Sequence, residues 1–167
     1  MRGFVLLILL VSSTSFAQKN ANTLRLGLNR IGLFFEPSYT RSVQHHDFTA
    51  GLKFYAQDQV FERSFPGMMI AYDYQFLDGQ STLNFRLGLS SSAFSEFKTS
   101  NHLILLDNMV RLSVDIRFAK RFNFHIQPEI GMVNNIVVGE TEDVVGYHYL
   151  NYGLAIGIKY YWGRTDQ

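Results

Sequence analysis

Apolar and polar residues alternate along almost the whole chain. From Val110 to Phe118 every second residue is apolar (Val110, Leu112, Val114, Ile116, Phe118), with Arg111, Ser113, Asp115 and Arg117 between them. After Ala119-Lys120-Arg121 the rhythm resumes with Phe122, Phe124, Ile126, Pro128 and Ile130, now interleaved with Asn123, His125, Gln127 and Glu129. A period of two is the signature of strands with one apolar face, and helical spacing never dominates for more than a few residues. The pattern predicts eight strands. Their apolar faces are Leu24–Leu28; Ile31, Leu33, Phe35 and Tyr39; Phe48–Phe54; Met68–Phe76; Leu83–Leu89; the two runs above; and Leu150–Trp162. Only Asn29-Arg30 marks a turn between the first two, which could form one continuous strand. Short connections are predicted near Val43–His46, Asp78–Gln80 and Ala119–Arg121, and longer ones at Gln57–Ser64, Ala93–His102 and Asn135–Tyr147.

Two architectures accept eight such strands: a soluble lipocalin-like barrel with the apolar face inside, and a transmembrane barrel with it outside. An eight-stranded barrel is only just wide enough inside for side chains. The apolar set is rich in Phe, Tyr, Leu and Ile and would overfill it. The alternate set carries small residues such as Gly27, Gly51, Gly88, Ser113 and Gly157. Beside the short connections the apolar face shows Tyr39, Phe48, Phe76, Phe85, Phe118, Phe122, Tyr160 and Trp162. Aromatic rings belong at a membrane–water interface, and a soluble core has no reason to collect them at one end. The reading is therefore an all-β, closed, antiparallel, up-and-down transmembrane barrel. Pro37 and Pro128 each remove a ladder hydrogen bond, so local bulges or poor pairing are expected there.

The first residues add a location. Met1-Arg2, the apolar run Phe4 to Val11 and the small-x-small site Ser15-Phe16-Ala17 have the layout of a secretory signal peptide, too short to span a bilayer. The predicted division is a signal peptide over 1–17 and a barrel over 18–167. A net charge of +1 over 167 residues gives no electrostatic case for nucleic acid, and the lack of cysteine excludes disulfides and thiolate metal sites.

The signal peptide, the amphipathic strands, the Glu36-Pro37-Ser38-Tyr39 stretch and the closing Gly153-x-x-x-Gly157-x-Lys159-Tyr160-Tyr161-Trp162 resemble the small outer-membrane β-barrel proteins of Gram-negative bacteria. The resemblance is one of pattern over the whole mature chain. It implies a porin-like barrel shape, an outer-membrane location, both termini in the periplasm, contact with lipid and lipopolysaccharide, and handling by the barrel-assembly machinery. Members usually end in an aromatic residue, whereas Gly163 to Gln167 follow Trp162 here.

Candidate chemistry is sparse. Some barrels of this size remodel lipid A, but the outward polar residues Ser91, Asn108, Asn134 and His148 offer no serine–histidine neighbour pair, since Ser91 and His148 fall on the fifth and eighth strands. His45-His46-Asp47 and Glu140-x-Glu142-Asp143 match no metal-binding spacing and read as solvated loops. No catalytic, cofactor or metal residue is assigned. The remaining candidates are the inward charges Arg25, Lys53, Arg86, Arg111, Arg117 and Lys159 against Glu36, Asp73, Asp107, Asp115 and Glu129, with His125 among them. Near-balance of sign points to a structural polar core more than to a selective pore. The expected role is structural, or loop-mediated binding or adhesion with an unidentified extracellular partner. A lipid-A-modifying enzyme and a soluble periplasmic barrel are the alternatives. Hairpin registers that keep the apolar faces aligned predict Asp115–His125, Arg111–Glu129, Asp73–Arg86 and Glu36–Lys53 as ladder neighbours pointing inward. The first two assume a three-residue turn Ala119–Arg121, and the third a two-residue turn Gly79-Gln80.

Overall fold

A computed structural model describes residues 18–58, 66–77, 82–97, 101–139 and 144–162. The strands are β1 (Gln18–Asn29), β2 (Gly32–Val43), β3 (His46–Asp58), β4 (Pro66–Gln75), β5 (Leu83–Phe97), β6 (Asn101–Ala119), β7 (Phe122–Gly139) and β8 (Val144–Trp162). Each pairs antiparallel with the next, and β8 returns to β1, closing the barrel. Closure leaves no strand edge with unpaired backbone groups, the condition for a sheet to sit in lipid.

One ladder row fixes the geometry. It runs Tyr160, Asn22, Tyr39, Ala50, Ile70, Ser91, Asn108, Met132 and re-enters β8 at Leu150, ten residues from its start. That stagger tilts the strands against the barrel axis, and the count of eight strands leaves an interior only just wide enough for side chains.

The pleat sorts the two faces. Met68 and Ile70 are 75% and 66% exposed on the outside, whereas Asp115 and Asn151 are fully buried inside. The charged face is therefore the inner one. Most aromatic residues of the outer face gather at the end that carries the termini, with Tyr152 among the exceptions. Tyr39 meets Trp162 (ring centroids 6.1 Å apart), Phe48 meets Tyr72 (5.4 Å), Phe76 meets Phe85 (6.3 Å), and Phe122 meets both Phe118 (6.1 Å) and Tyr160 (5.0 Å).

β1 and β2 are separate strands joined through Arg30 and Ile31, as the count of eight requires. Several other expectations are corrected. Ile31, expected on the outer face, is 3% exposed and packs inside, because the turn breaks the alternation just before β2. The long connections expected at 93–102 and 135–147 are mostly strand: β5 runs to Phe97, β6 starts at Asn101, β7 reaches Gly139 and β8 starts at Val144. The β6–β7 turn is Lys120-Arg121, with a bulge between Arg117 and Ala119 in place of a three-residue turn. β4 and β5 pair with Asp73 opposite Gly88 and Gln75 opposite Arg86, two residues from the expected register, so the connection is longer than Gly79-Gln80 alone. A slip of two keeps every side chain on its face, so the hydrophobic pattern tolerates it. The β2–β3 turn, Gln44-His45, is as short as expected, with Gln44 at φ 55°.

Both prolines act as anticipated. The β2–β3 ladder is unpaired at Glu36 and Pro37, between Phe35–Phe54 and Ser38–Gly51, and the β6–β7 ladder at Gln127 and Pro128, between Arg111–Glu129 and Val114–Ile126. Register is unchanged across either gap.

Candidate functional site

Among the described residues, chemistry-bearing side chains converge in the interior, where they are stacked in layers along the axis. Nearest the termini, Asp115 binds Arg86 and His125 Nδ1, with Lys159 Nζ 3.5 Å away. Asp47 completes this layer, 3.0 Å from Arg86 Nε and 3.7 Å from Lys159 Nζ. The middle layer holds two pairs. Arg25 pairs with Glu36, its ladder partner. Arg111 holds Asp73 with both arms, Nε donating to Oδ1 at 2.8 Å and Nη2 to Oδ2. Gln127 joins the layers: its Oε1 accepts from Arg25, from Ser113 (3.1 Å) and from His125 Nε2 (3.0 Å), and its Nε2 donates to Glu129 (3.2 Å). Above it, Asp107 accepts from Lys53 Nζ (2.8 Å), Asn151 Nδ2 (2.9 Å) and the Tyr55 hydroxyl (3.3 Å). Lys53 stands 3.9 Å from Glu129 Oε1.

The lumen is not polar throughout. Toward the end opposite the termini, Ile31, Phe34, Tyr55, Phe94, Leu105 and Val133 form a buried apolar cluster. Phe34 and Tyr55 meet edge to face at 5.9 Å, Tyr55 and Phe94 meet at 5.3 Å, and Lys53 Nζ lies 4.3 Å from the Phe34 ring centroid. Glycines make the room: a Cβ on Gly27 would overlap the Phe34 ring, and one on Gly67 the Phe94 ring.

Eleven of the twelve expected inner charges (Arg25, Glu36, Lys53, Asp73, Arg86, Asp107, Arg111, Asp115, His125, Glu129 and Lys159) are buried in the lumen. Arg117 is not. It sits at the bulge beside the β6–β7 turn and is exposed at the rim. Arg111–Glu129 and Asp115–His125 are ladder neighbours. Glu36 stands across from Lys53 by register, in the stretch that Pro37 leaves unpaired. Asp73–Arg86 are not neighbours, since Gly88 faces Asp73. The ion pairs themselves mostly join strands that are not ladder neighbours: Lys53 goes to Asp107, Arg111 to Asp73 and Arg86 to Asp47. Long cationic side chains in a narrow lumen reach several strands, so ladder opposition does not choose their partner.

Sequence reasoning misses Asp47, Gln127 and the aromatic cluster. Asp47, expected in a solvated turn, is the second residue of β3 and already has inward parity. Gln127 carries no charge, and only its inward parity could mark it. Glu140, Glu142 and Asp143, like residues 1–17 and 163–167, lie outside the described residues. On the outer face, Ser91 Oγ donates to Asn108 Oδ1 (2.8 Å), and His148 Nδ1 lies 2.6 Å from Asn134 Oδ1. The serine and the histidine thus each have an amide partner, on separate strand pairs.

A closed eight-stranded barrel with an apolar exterior, a charged interior and aromatic side chains at one rim defines the class: this chain has the fold of the small outer-membrane β-barrels. No protein-family model and no curated protein matches the sequence. Among solved structures it is similar to a major outer membrane protein from Thermus thermophilus, with a TM-score of 0.51 at 8% identity over 87% of this chain and 100% of that one. It is also similar to Neisserial surface protein A (TM-score 0.48, 14% identity, 86% of this chain and 96% of that one). A third similar structure is the KdgM porin (TM-score 0.36, 10% identity, 86% and 99%).

Proposed function

We propose that this protein is a non-conducting outer-membrane barrel that works as a structural element and a binding surface, through the end opposite its termini. The observation that carries this reading is the filled lumen. The cavity at its centre, lined by residues including Arg25, Asp73, Arg111 and His125, measures about 10 Å³. That is room for about one water molecule. The apolar cluster above it gives hydrated ions nothing to bind. In this reading the segment Met1–Ala17 directs export, the termini and the aromatic ring face the periplasm, and the apolar wall meets lipid and lipopolysaccharide. The barrel-assembly machinery inserts the chain through its closing strand, β8.

The binding surface is argued from asymmetry. β1 to β4 span 12, 12, 13 and 10 residues, whereas β5 to β8 span 15, 19, 18 and 19. The extra length of β6 to β8 lies at the end opposite the termini, so one side of the barrel stands above the other as a wall. Catalysis has no support from the partnering of Ser91 and His148. Planar-bilayer recording of the refolded protein tests the proposal: no steady conductance is expected. Regular, ion-selective openings would refute the sealed lumen.

A further inference from the structure

We propose that the upper edge of β8 is a site of strand addition, where an extended segment of another polypeptide outside the cell continues the sheet. This rests on the reading of the tall wall as a binding surface. β8 is flanked on both sides over only part of its length. β7 accompanies it all the way from Val138–Val144 to Phe122–Tyr160. β1 accompanies it only from Asn29–Gly153 to Asn20–Trp162, because the chain turns at Arg30 and Ile31 into β2. Arg30 closes the corner, its Nη1 donating to the Leu150 carbonyl (3.2 Å) and its backbone N–H to Asn151 Oδ1 (3.2 Å). Among the described residues, no strand pairs with that side of β8 from Val144 to Tyr149. Parity says which backbone groups stand there. The Tyr161 N–H donates to the Arg121 carbonyl on the β7 side, whereas the Leu150 carbonyl turns to the β1 side. The ladder has no register shift between them, so odd residues of β8 bond to β7, and the N–H and C=O of Gly146 and His148 face the open edge.

The edge stands clear of the bilayer. Tyr152 and Trp162 are outward residues ten positions apart on β8. A tilted strand climbs ~2.4 Å per residue, so they bracket ~24 Å, about the height of the apolar band of an outer-membrane barrel. Gly146 and His148 lie beyond it. Water satisfies their backbone groups in the free barrel; what distinguishes the edge is that nothing guards it. Natural edges are blunted by charged side chains, proline or bulges. Val144-Val145-Gly146-Tyr147-His148-Tyr149 has none of these, and its ladder to β7 is regular. A Cβ on Gly146 would meet nothing within 4 Å, so the approach is open. Tyr147, 60% exposed, offers an uncovered ring on the inner face of the wall, and Tyr149 beside it packs on the buried apolar cluster with the Arg30 guanidinium 5.3 Å from its ring centroid. A strand laid here continues the line that β1 leaves and covers Tyr147 with its inward side chains. The edge alternates partial charges, donor then acceptor, and only another extended backbone complements that row along its length; main-chain bonds then supply affinity and alternate side chains supply preference. A second copy of this chain does not fit. In the same membrane its β8 runs in the same direction, related by a two-fold axis along the membrane normal, and neither a parallel nor an antiparallel ladder has a two-fold axis along its strands.

The test uses the full barrel refolded in detergent micelles, with amide hydrogen exchange read residue by residue by nuclear magnetic resonance. In the free barrel the Gly146 and His148 amides are expected to exchange about tenfold faster than those of Tyr147 and Tyr149, which bond to β7. Equal protection of all four would mean that the edge is already covered by its own chain, and would overturn the proposal. The probe is a synthetic peptide copying Met132–Val138, the stretch of β7 that pairs with Leu150–Val144 and so carries side chains matched to both faces of β8. At ten times its dissociation constant the peptide should slow exchange at Gly146 and His148 about tenfold. The same peptide N-methylated on alternate residues should bind when the methyl groups turn away from β8 and fail in the other phase. Equal binding of both phases, or binding that leaves Gly146 and His148 unchanged, would keep the wall as a binding surface and overturn strand addition. No binding at millimolar peptide, with both amides still fast, would also overturn strand addition and leave the wall to bind through its faces.

Discussion

Arg111→Met should be among the most damaging single changes in this barrel. Asp73 is 5% exposed, and both of its oxygens are held by the Arg111 guanidinium. Removing the arginine leaves the carboxylate buried, unpaired, and unable to move out of the wall. Stranding one partner of a buried ion pair costs ~3–5 kcal/mol. That is roughly two to three and a half powers of ten in the folding equilibrium. Adding Asp73→Leu removes the stranded charge, so the double variant should recover most of the loss; an apolar replacement for a buried pair is often neutral or better. Glu129 provides the control. It is the ladder neighbour of Arg111, yet the bonds of Arg111 go to Asp73. Arg111→Met and Glu129→Gln should therefore be close to additive, whereas the Arg111–Asp73 cycle should show a coupling of ~1.5–3 kcal/mol. Urea unfolding in lipid vesicles, followed by fluorescence, provides the assay. Trp162 is the only tryptophan, and it sits on the outer face against Tyr39. A loss below ~1 kcal/mol for Arg111→Met would mean a lumen wet enough to screen the charge. Coupling to Glu129 as strong as to Asp73 would mean that ladder opposition chooses partners after all. Either result refutes the cross-lumen account.

Other changes probe the remaining parts. Gly27→Ala should destabilise by ~1–3 kcal/mol through overpacking against the Phe34 ring, and the loss should shrink in a Phe34→Leu background, measured by the same unfolding assay. Leu154→Arg places a charge on the lipid face of β8, where Leu154 is 52% exposed, and should cost ~2–4 kcal/mol in vesicles; no loss would argue for a soluble barrel. Tyr39→Ala should remove an aromatic pair worth ~0.5–1.5 kcal/mol and shift the emission of Trp162, whereas unchanged emission would place the two rings apart. Unboiled protein should migrate differently from boiled protein in a detergent gel, and identical migration would weigh against a closed barrel.

The alternation of Val110–Ile130 is enough to find β6 and β7 and to say which of their residues share a face. Alternation also identifies the aromatic rim and nearly all the inner charges, because a pleat fixes parity without any long-range information. Register is another matter. Asp73 could face Arg86 or Gly88 with the same faces buried, and only the length of the connection decides. Strand ends are underestimated at Leu103–Leu106 and Asn135–Val138, because both faces become apolar there and the alternation fades. The partner of each charge is not legible. Arg86 reaches Asp47 and Asp115 from β5, a choice made by side-chain length and barrel width. The apolar cluster is hidden for a related reason. Phe34, Tyr55 and Phe94 have inward parity but sit beside outward apolar neighbours; Gly27 faces Phe34 directly across the first hairpin, whereas Gly67, which accommodates Phe94, is distant from it in sequence.

The central claim is that the charged face is inside and the apolar face meets lipid. Spin labels placed one at a time from Leu154 to Lys159 on β8 test it most directly, with collisions measured against oxygen dissolved in the bilayer and a water-soluble nickel complex. The account predicts high oxygen accessibility at positions 154, 156 and 158, and low accessibility to both reagents at 155, 157 and 159, in step with the burial of Ala155 and Lys159. The opposite phase, with oxygen reaching the odd positions, or no alternation at all, would contradict it.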